Sequence, residues 1–98
     1  MVEKEPIIEV LKKVYDPELH VDVWSLGLIY DIVIDDKKVK IVMSLTSPMC
    51  PYGPQLMDDV RRNVSSVDGV GEVTLDLTFT PAWGPGKMTE DAKIALGI

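Results

Sequence analysis

Cysteine, histidine and phenylalanine each occur once in this 98-residue chain, and lysine and arginine together number 10 against 16 acidic residues. A single cysteine, Cys50, closes no intrachain disulfide, whereas secreted domains this small usually carry several. One cysteine and one histidine do not supply the four ligands of a structural zinc site. The net charge of −6 argues against nucleic acid or an anionic membrane surface as a partner, since both need a basic face. No apolar run approaches the ~20 residues that span a bilayer. The longest, residues 26–34, is broken by Gly27 and Asp31. The first six residues, Met1-Val2-Glu3-Lys4-Glu5-Pro6, are charged and hold no apolar signal core. The expectation is a cytoplasmic chain with Cys50 reduced.

Hydrophobic residues make up 46% of the chain, enough for a small core in one domain spanning residues 1–98. Pro6 suits a first helical turn, and Ile7, Ile8, Leu11, Val14 and Tyr15 form one apolar stripe at helical spacing. Asp16-Pro17 is expected to stop this helix, because a residue before proline is pushed out of the α region. Residues 28–34 are rich in β-branched side chains. Residues 39–46 alternate, with Val39, Ile41, Met43 and Leu45 on one face, and Asp35-Asp36-Lys37-Lys38 between the two runs predicts a hairpin. After Pro54, Leu56, Val60 and Val64 share a helical face, and Asp58 stands four residues before Arg62. Residues 73–80 alternate most strongly, with Val73, Leu75, Leu77 and Phe79 pointing one way. Thr89 predicts an N-cap for a short last helix, with Glu90 and Asp91 in its first turn. The order α-β-β-α-β-α predicts an α+β two-layer sandwich: a small mixed sheet of about three strands with helices packed on one face. The pattern leaves strand order open.

The chemistry concentrates in Thr46-Ser47-Pro48-Met49-Cys50-Pro51-Tyr52-Gly53-Pro54. A strand ends there, a stiff proline-rich turn follows, and a helix begins. Backbone N–H groups at a helix N-terminus are unpaired and carry roughly half a positive charge. A thiol placed there can have its pKa drawn from ~8.5 into the range of about 3.5–7.5. The resulting thiolate attacks electrophiles and binds soft metals. Thr46 and Ser47 add hydroxyls beside it. The competing reading is a small buried hydrophobe, as free cysteines often are, but a proline- and glycine-rich junction is a poor place to bury one.

Asp16-Pro17-Glu18 is a second candidate. Its two carboxylates either stop a helix in solvent, hydrogen-bond to the cysteine loop, or serve as hard metal ligands. Trp83, in Pro81-Ala82-Trp83-Gly84-Pro85-Gly86, either shields a site or caps the core rim, and Trp24 has the same core-rim reading. His20 with Cys50 and Asp16 composes a cysteine-enzyme triad on paper, a hydrolase or transferase with His20 as base. A metal or cluster held by Cys50 needs its other ligands from a second chain, a partner or a small thiol.

Asp16-Pro17-Glu18, Leu26-Gly27-Leu28-Ile29-Tyr30-Asp31, Thr46-Ser47-Pro48-Met49-Cys50-Pro51, Pro81-Ala82-Trp83 and Met88-Thr89-Glu90-Asp91-Ala92, taken in this order, resemble the SufT/PaaD-like family of iron–sulfur cluster assembly accessory domains. The resemblance runs from about Pro6 to Gly97. It implies a compact α+β fold and a non-enzymatic accessory role, with Cys50 as reactive thiol and transient or shared ligand of iron or a cluster. It places Asp16, Glu18 and Thr46 around that thiol. No tightly bound cofactor is implied, and the expected partners are iron–sulfur scaffold, carrier or client proteins. A homodimer would bring two Cys50 thiols together. A further alternative is a non-catalytic interaction subunit for maturation of an oxygenase, with Cys50 dispensable.

Overall fold

The computed structural model describes residues 2–46 and 51–97. Helix α1 (Lys4–Leu11) opens with Glu5 and Pro6 in its first turn and buries Ile7 and Leu11. It ends a full turn earlier than the apolar stripe suggests. Residues 12–14 wind down through short turns, with Lys13 N–H donating to Val10 and Val14 N–H to Leu11. The chain then pairs with its own return: Asp16 N–H donates to Val21 O at 3.0 Å, and Val23 N–H to Val14 O at 2.9 Å. These bonds take the backbone out of the helix before proline can do so. Val14 stays buried, while Tyr15 is 57% exposed.

Strands β1 (Ile29–Asp35) and β2 (Lys38–Met43) form the expected hairpin, closed by Asp36-Lys37, with Asp36 in the left-handed region. Helix α2 (Gly53–Ser65) carries the chain across to β3 (Glu72–Leu77), which runs parallel to β2. The sheet is therefore mixed, in the order β1-β2-β3. Central strand β2 buries Val39, Ile41 and Met43, and α2 presents Leu56, Val60 and Val64 to the same core as Ile7 and Leu11 of α1. Burying such faces against one another is the main source of stability in a domain of this size. On the exposed side of α2, Asp58 meets Arg62 at 3.0 Å and Arg61 at 2.6 Å, and the Arg61 hydrogen bond holds its carboxyl below the ordinary aspartate range.

The sheet's opposite face is open, with Lys40 facing Asp76 and Val33 44% exposed. The strand with the strongest alternation is the least covered. The β3 ladder stops at Leu77, and Thr78 turns the chain by taking up the Thr80 N–H on its hydroxyl. Leu77 and Phe79 each remain 38% exposed. Residues 78–89 cross back as an irregular strap with one turn of 3-10 helix (Pro85–Lys87), and α3 (Glu90–Leu96) closes the fold. Its cap is the expected one: the Ala92 N–H donates to the Thr89 hydroxyl.

Candidate functional site

Asp16 is 1% exposed, so it is not a solvated helix stop. One carboxylate oxygen accepts the N–H groups of Glu18 and Leu19, at 2.8 and 2.9 Å. The other accepts the Tyr52 hydroxyl at 2.9 Å. A buried carboxylate needs such donors, because its desolvation is otherwise severe. The first pair folds residues 16–19 into a tight turn, with His20 N–H returning to Asp16 O at 2.8 Å. The third bond ties that turn to the residue just before α2. Tyr52 lies two positions after Cys50, so the acidic loop is anchored to the chain segment that carries the cysteine.

Ser47 and Cys50 lie outside the described residues. On either side of that segment, Thr46 and Tyr52 line a common cleft of about 420 Å³ with Glu18, Leu19, Trp83, Met88 and Leu96. Four residues singled out from the sequence, Asp16, Glu18, Thr46 and Trp83, are thus brought together, with Asp16 behind the wall. Tyr52, which joins them, is missed by sequence reading. The only available signal was a tyrosine lodged between Pro51 and Gly53.

Trp83 is fixed rather than loosely capping the rim: its indole N–H donates to Leu26 O at 2.7 Å. The strap around it is held twice more. The Tyr30 hydroxyl donates to Pro81 O at 2.8 Å, and Lys87 sits over the Tyr30 ring at 4.9 Å. Gly27 permits this approach. It has φ +76°, and a Cβ there would stand 2.1 Å from Lys87 O.

His20 does not share the cleft. It adopts φ +59° and lines a separate shallow groove with Tyr15, Asp22 and Asp91. Both Asp16 oxygens are committed to other donors, so the carboxylate that would orient His20 in a triad is engaged elsewhere. Among the described residues, no group of three or more histidine, aspartate or glutamate side chains is placed to hold a metal ion. Asp16 is a buried acceptor of two backbone amides and one phenol. Among the described residues, no helix is long and apolar enough to cross a membrane.

Residues 4–75 match the model of a family described as iron–sulfur cluster assembly protein. The chain belongs to this family. A Porphyromonas gingivalis relative named Fe-S protein maturation auxiliary factor is 45% identical over 96 residues, covering 97% of this chain and 91% of that one. The Fe-S protein maturation auxiliary factor SufT of Staphylococcus aureus is 40% identical over 86 residues, 87% of this chain and 98% of that one. A crystal structure of a domain of unknown function from Bacillus anthracis superposes with a TM-score of 0.90 at 39% identity, covering 94% of this chain and 89% of that one. The iron–sulfur cluster assembly fold is thus the α+β arrangement expected from the sequence.

Proposed function

We propose that this chain is a non-enzymatic accessory protein for assembly or transfer of iron–sulfur clusters, acting through a thiol at Cys50. Family membership and the names of its relatives support the accessory role. The single observation that carries the site is the Asp16–Tyr52 hydrogen bond. It fastens the acidic turn to the segment bearing Cys50, beside a cleft lined by Glu18, Thr46 and Trp83. The cluster is cargo, not a resident group. One thiolate fills one coordination position on iron, and clusters are held by several cysteines. The rest of the coordination comes from a scaffold, carrier or client protein, or from a small thiol. In this reading the Asp16–Tyr52 bond holds the start of α2 against the acidic turn, the Thr46 and Ser47 hydroxyls are supplied to a ligand or to the thiolate, and the helix N-terminus favours the thiolate. The cytoplasm, where thiols stay reduced, is the compartment this chemistry needs.

The test is Cys50→Ser in cells lacking the native copy, under iron limitation. The variant is expected to fold, by circular dichroism, yet to leave the activity of an iron–sulfur enzyme at the level of the deletion strain. His20→Ala is expected to restore that activity fully, whereas a His20-dependent enzyme would fail. Full rescue by Cys50→Ser overturns the proposal. So does a Cys50 alkylation profile with an apparent pKa near the ~8.5 of an ordinary thiol, for the activated-thiol part.

A further inference from the structure

Strand β3 lies at the edge of the sheet. The bonds at its two ends fix which of its backbone groups face β2: Glu72 N–H and Thr78 N–H donate to Lys37 O and Met43 O. In a parallel ladder every second residue bonds the same neighbour, so Glu72, Thr74, Asp76 and Thr78 face β2. The N–H and C=O groups of Val73, Leu75 and Leu77 therefore point to the open edge. Among the described residues, no backbone group outside the sheet ladders is paired with them. An exposed edge of this kind is a template for another strand.

We propose that two copies of this chain pair antiparallel through β3, about a two-fold axis at Leu75, and form one continuous six-stranded sheet. A two-fold axis normal to the sheet requires antiparallel strands and a self-complementary surface. This register supplies one. Leu75 faces its own copy and Val73 faces Leu77, and in each pair the outward N–H and C=O groups are exchanged. On the other face Thr74 opposes Asp76 of the partner subunit, and Glu72 opposes Thr78 of the partner subunit. No acid meets an acid. Moving the axis to Asp76 sets that residue against its own copy, and moving it to Thr74 sets Glu72 against Asp76 of the partner subunit. Like charges directly opposite destabilise a sheet, so the Leu75 register is favoured over both of these neighbours. The pairing also covers Leu77, which one chain alone leaves 38% exposed.

The dimer has a consequence for the cleft. Because β2 runs parallel to β3, the two β2 strands run in opposite directions, and their C-terminal ends point away from each other. Met43 and its copy stand on the order of 20 Å apart, three strand spacings across and four residue rises along. The dimer carries two separate clefts.

Sedimentation equilibrium on the full chain tests this, together with two variants at an exposed position. Thr74→Asp places an acid against Asp76 of the partner subunit twice per dimer and is expected to weaken dimerisation by about 2- to 30-fold. Thr74→Lys is expected to tighten it by a similar factor. Within one chain Thr74 stands beside Lys40 and between Glu72 and Asp76 on one strand face, so a urea titration of each variant, run at a concentration where the chain is monomeric, separates monomer stability from dimerisation. By hydrogen exchange, the amides of Val73, Leu75 and Leu77 should gain protection as concentration rises, while those of Thr74 and Asp76 are protected throughout. A chain that stays monomeric at millimolar concentration overturns the proposal. So does a dimer in which the two variants shift the equilibrium the same way, or in which the Val73, Leu75 and Leu77 amides stay unprotected.

Discussion

Asp16 concentrates the physics of the site in one side chain. It is a carboxylate removed from water and stabilised by two amides and a phenol. Removing one donor leaves part of that charge without a partner, which costs about 1–3 kcal/mol. Tyr52→Phe is therefore expected to lower stability by that amount in urea titration while keeping the fold, and to change the rate at which Cys50 is alkylated. An unchanged alkylation rate would show that the bond serves the fold alone. The sequence marks Asp16 as a candidate but leaves it open between a solvated helix stop, a hydrogen bond to the cysteine loop and a metal ligand; its burial decides against the first. Its partner was not legible. Tyr52 lies 36 positions away, and nothing local in Pro51-Tyr52-Gly53 says that a hydroxyl points at a carboxylate. His20 illustrates the complementary case: residue type marks it as a candidate base, but its place in the tertiary fold sets it in another groove.

Among the elements, those with clear period and caps follow their sequence closely. The α2 face of Leu56, Val60 and Val64 and the Thr89 cap of α3 are as the pattern predicts. Elements decided by long-range pairing depart from it. Helix α1 stops early because the backbone at residues 14–16 finds partners at residues 21–23. The β3 pattern reads as a well-buried strand, yet its position at the edge leaves its apolar face half covered. The strap over residues 81–89 is legible only as irregular, and what fixes it is contact with residues 24–30. Gly27→Ala tests that contact. The left-handed backbone alone costs roughly 1–2 kcal/mol with a Cβ, and the Lys87 carbonyl must also move away. The expected result is a loss above that range in denaturant midpoint, with altered tryptophan fluorescence as Trp83 loses its seat against Leu26 O. A loss of less than about 1 kcal/mol would mean that the strap yields freely.

At the scale of the whole molecule, one continuous core joins α1, α2 and the sheet, so unfolding is expected as a single cooperative transition. Leu56, 2% exposed, sits within it. Leu56→Ala should cost about 2–5 kcal/mol. At roughly 4–8 °C per kcal/mol for a domain of this size, the melting temperature should fall by about 10 °C or more, with the transition still single by calorimetry. Two transitions would show that the strap and α3 melt apart from the rest. The element order and the mixed character of the sheet followed from alternation and crossover length. The strand order did not, because either side of the hairpin offers an edge to a third strand.

The parallel pairing of β2 with β3 also sets the order in which the chain can be completed. The β1–β2 hairpin closes over two intervening residues, a local event, whereas β3 pairs with β2 at a separation of 34 positions, as in Lys38 with Glu72. Non-local pairings form later, because the loop must close before any contact rewards it. During synthesis the central strand has one bare edge until residues 72–77 have left the ribosome. A nascent or truncated chain ending in the Asp68-Gly69-Val70 turn leaves unpaired the backbone edge of β2 that β3 takes up, the feature that recruits foreign strands. Arrival of residues 72–77 is what covers that edge.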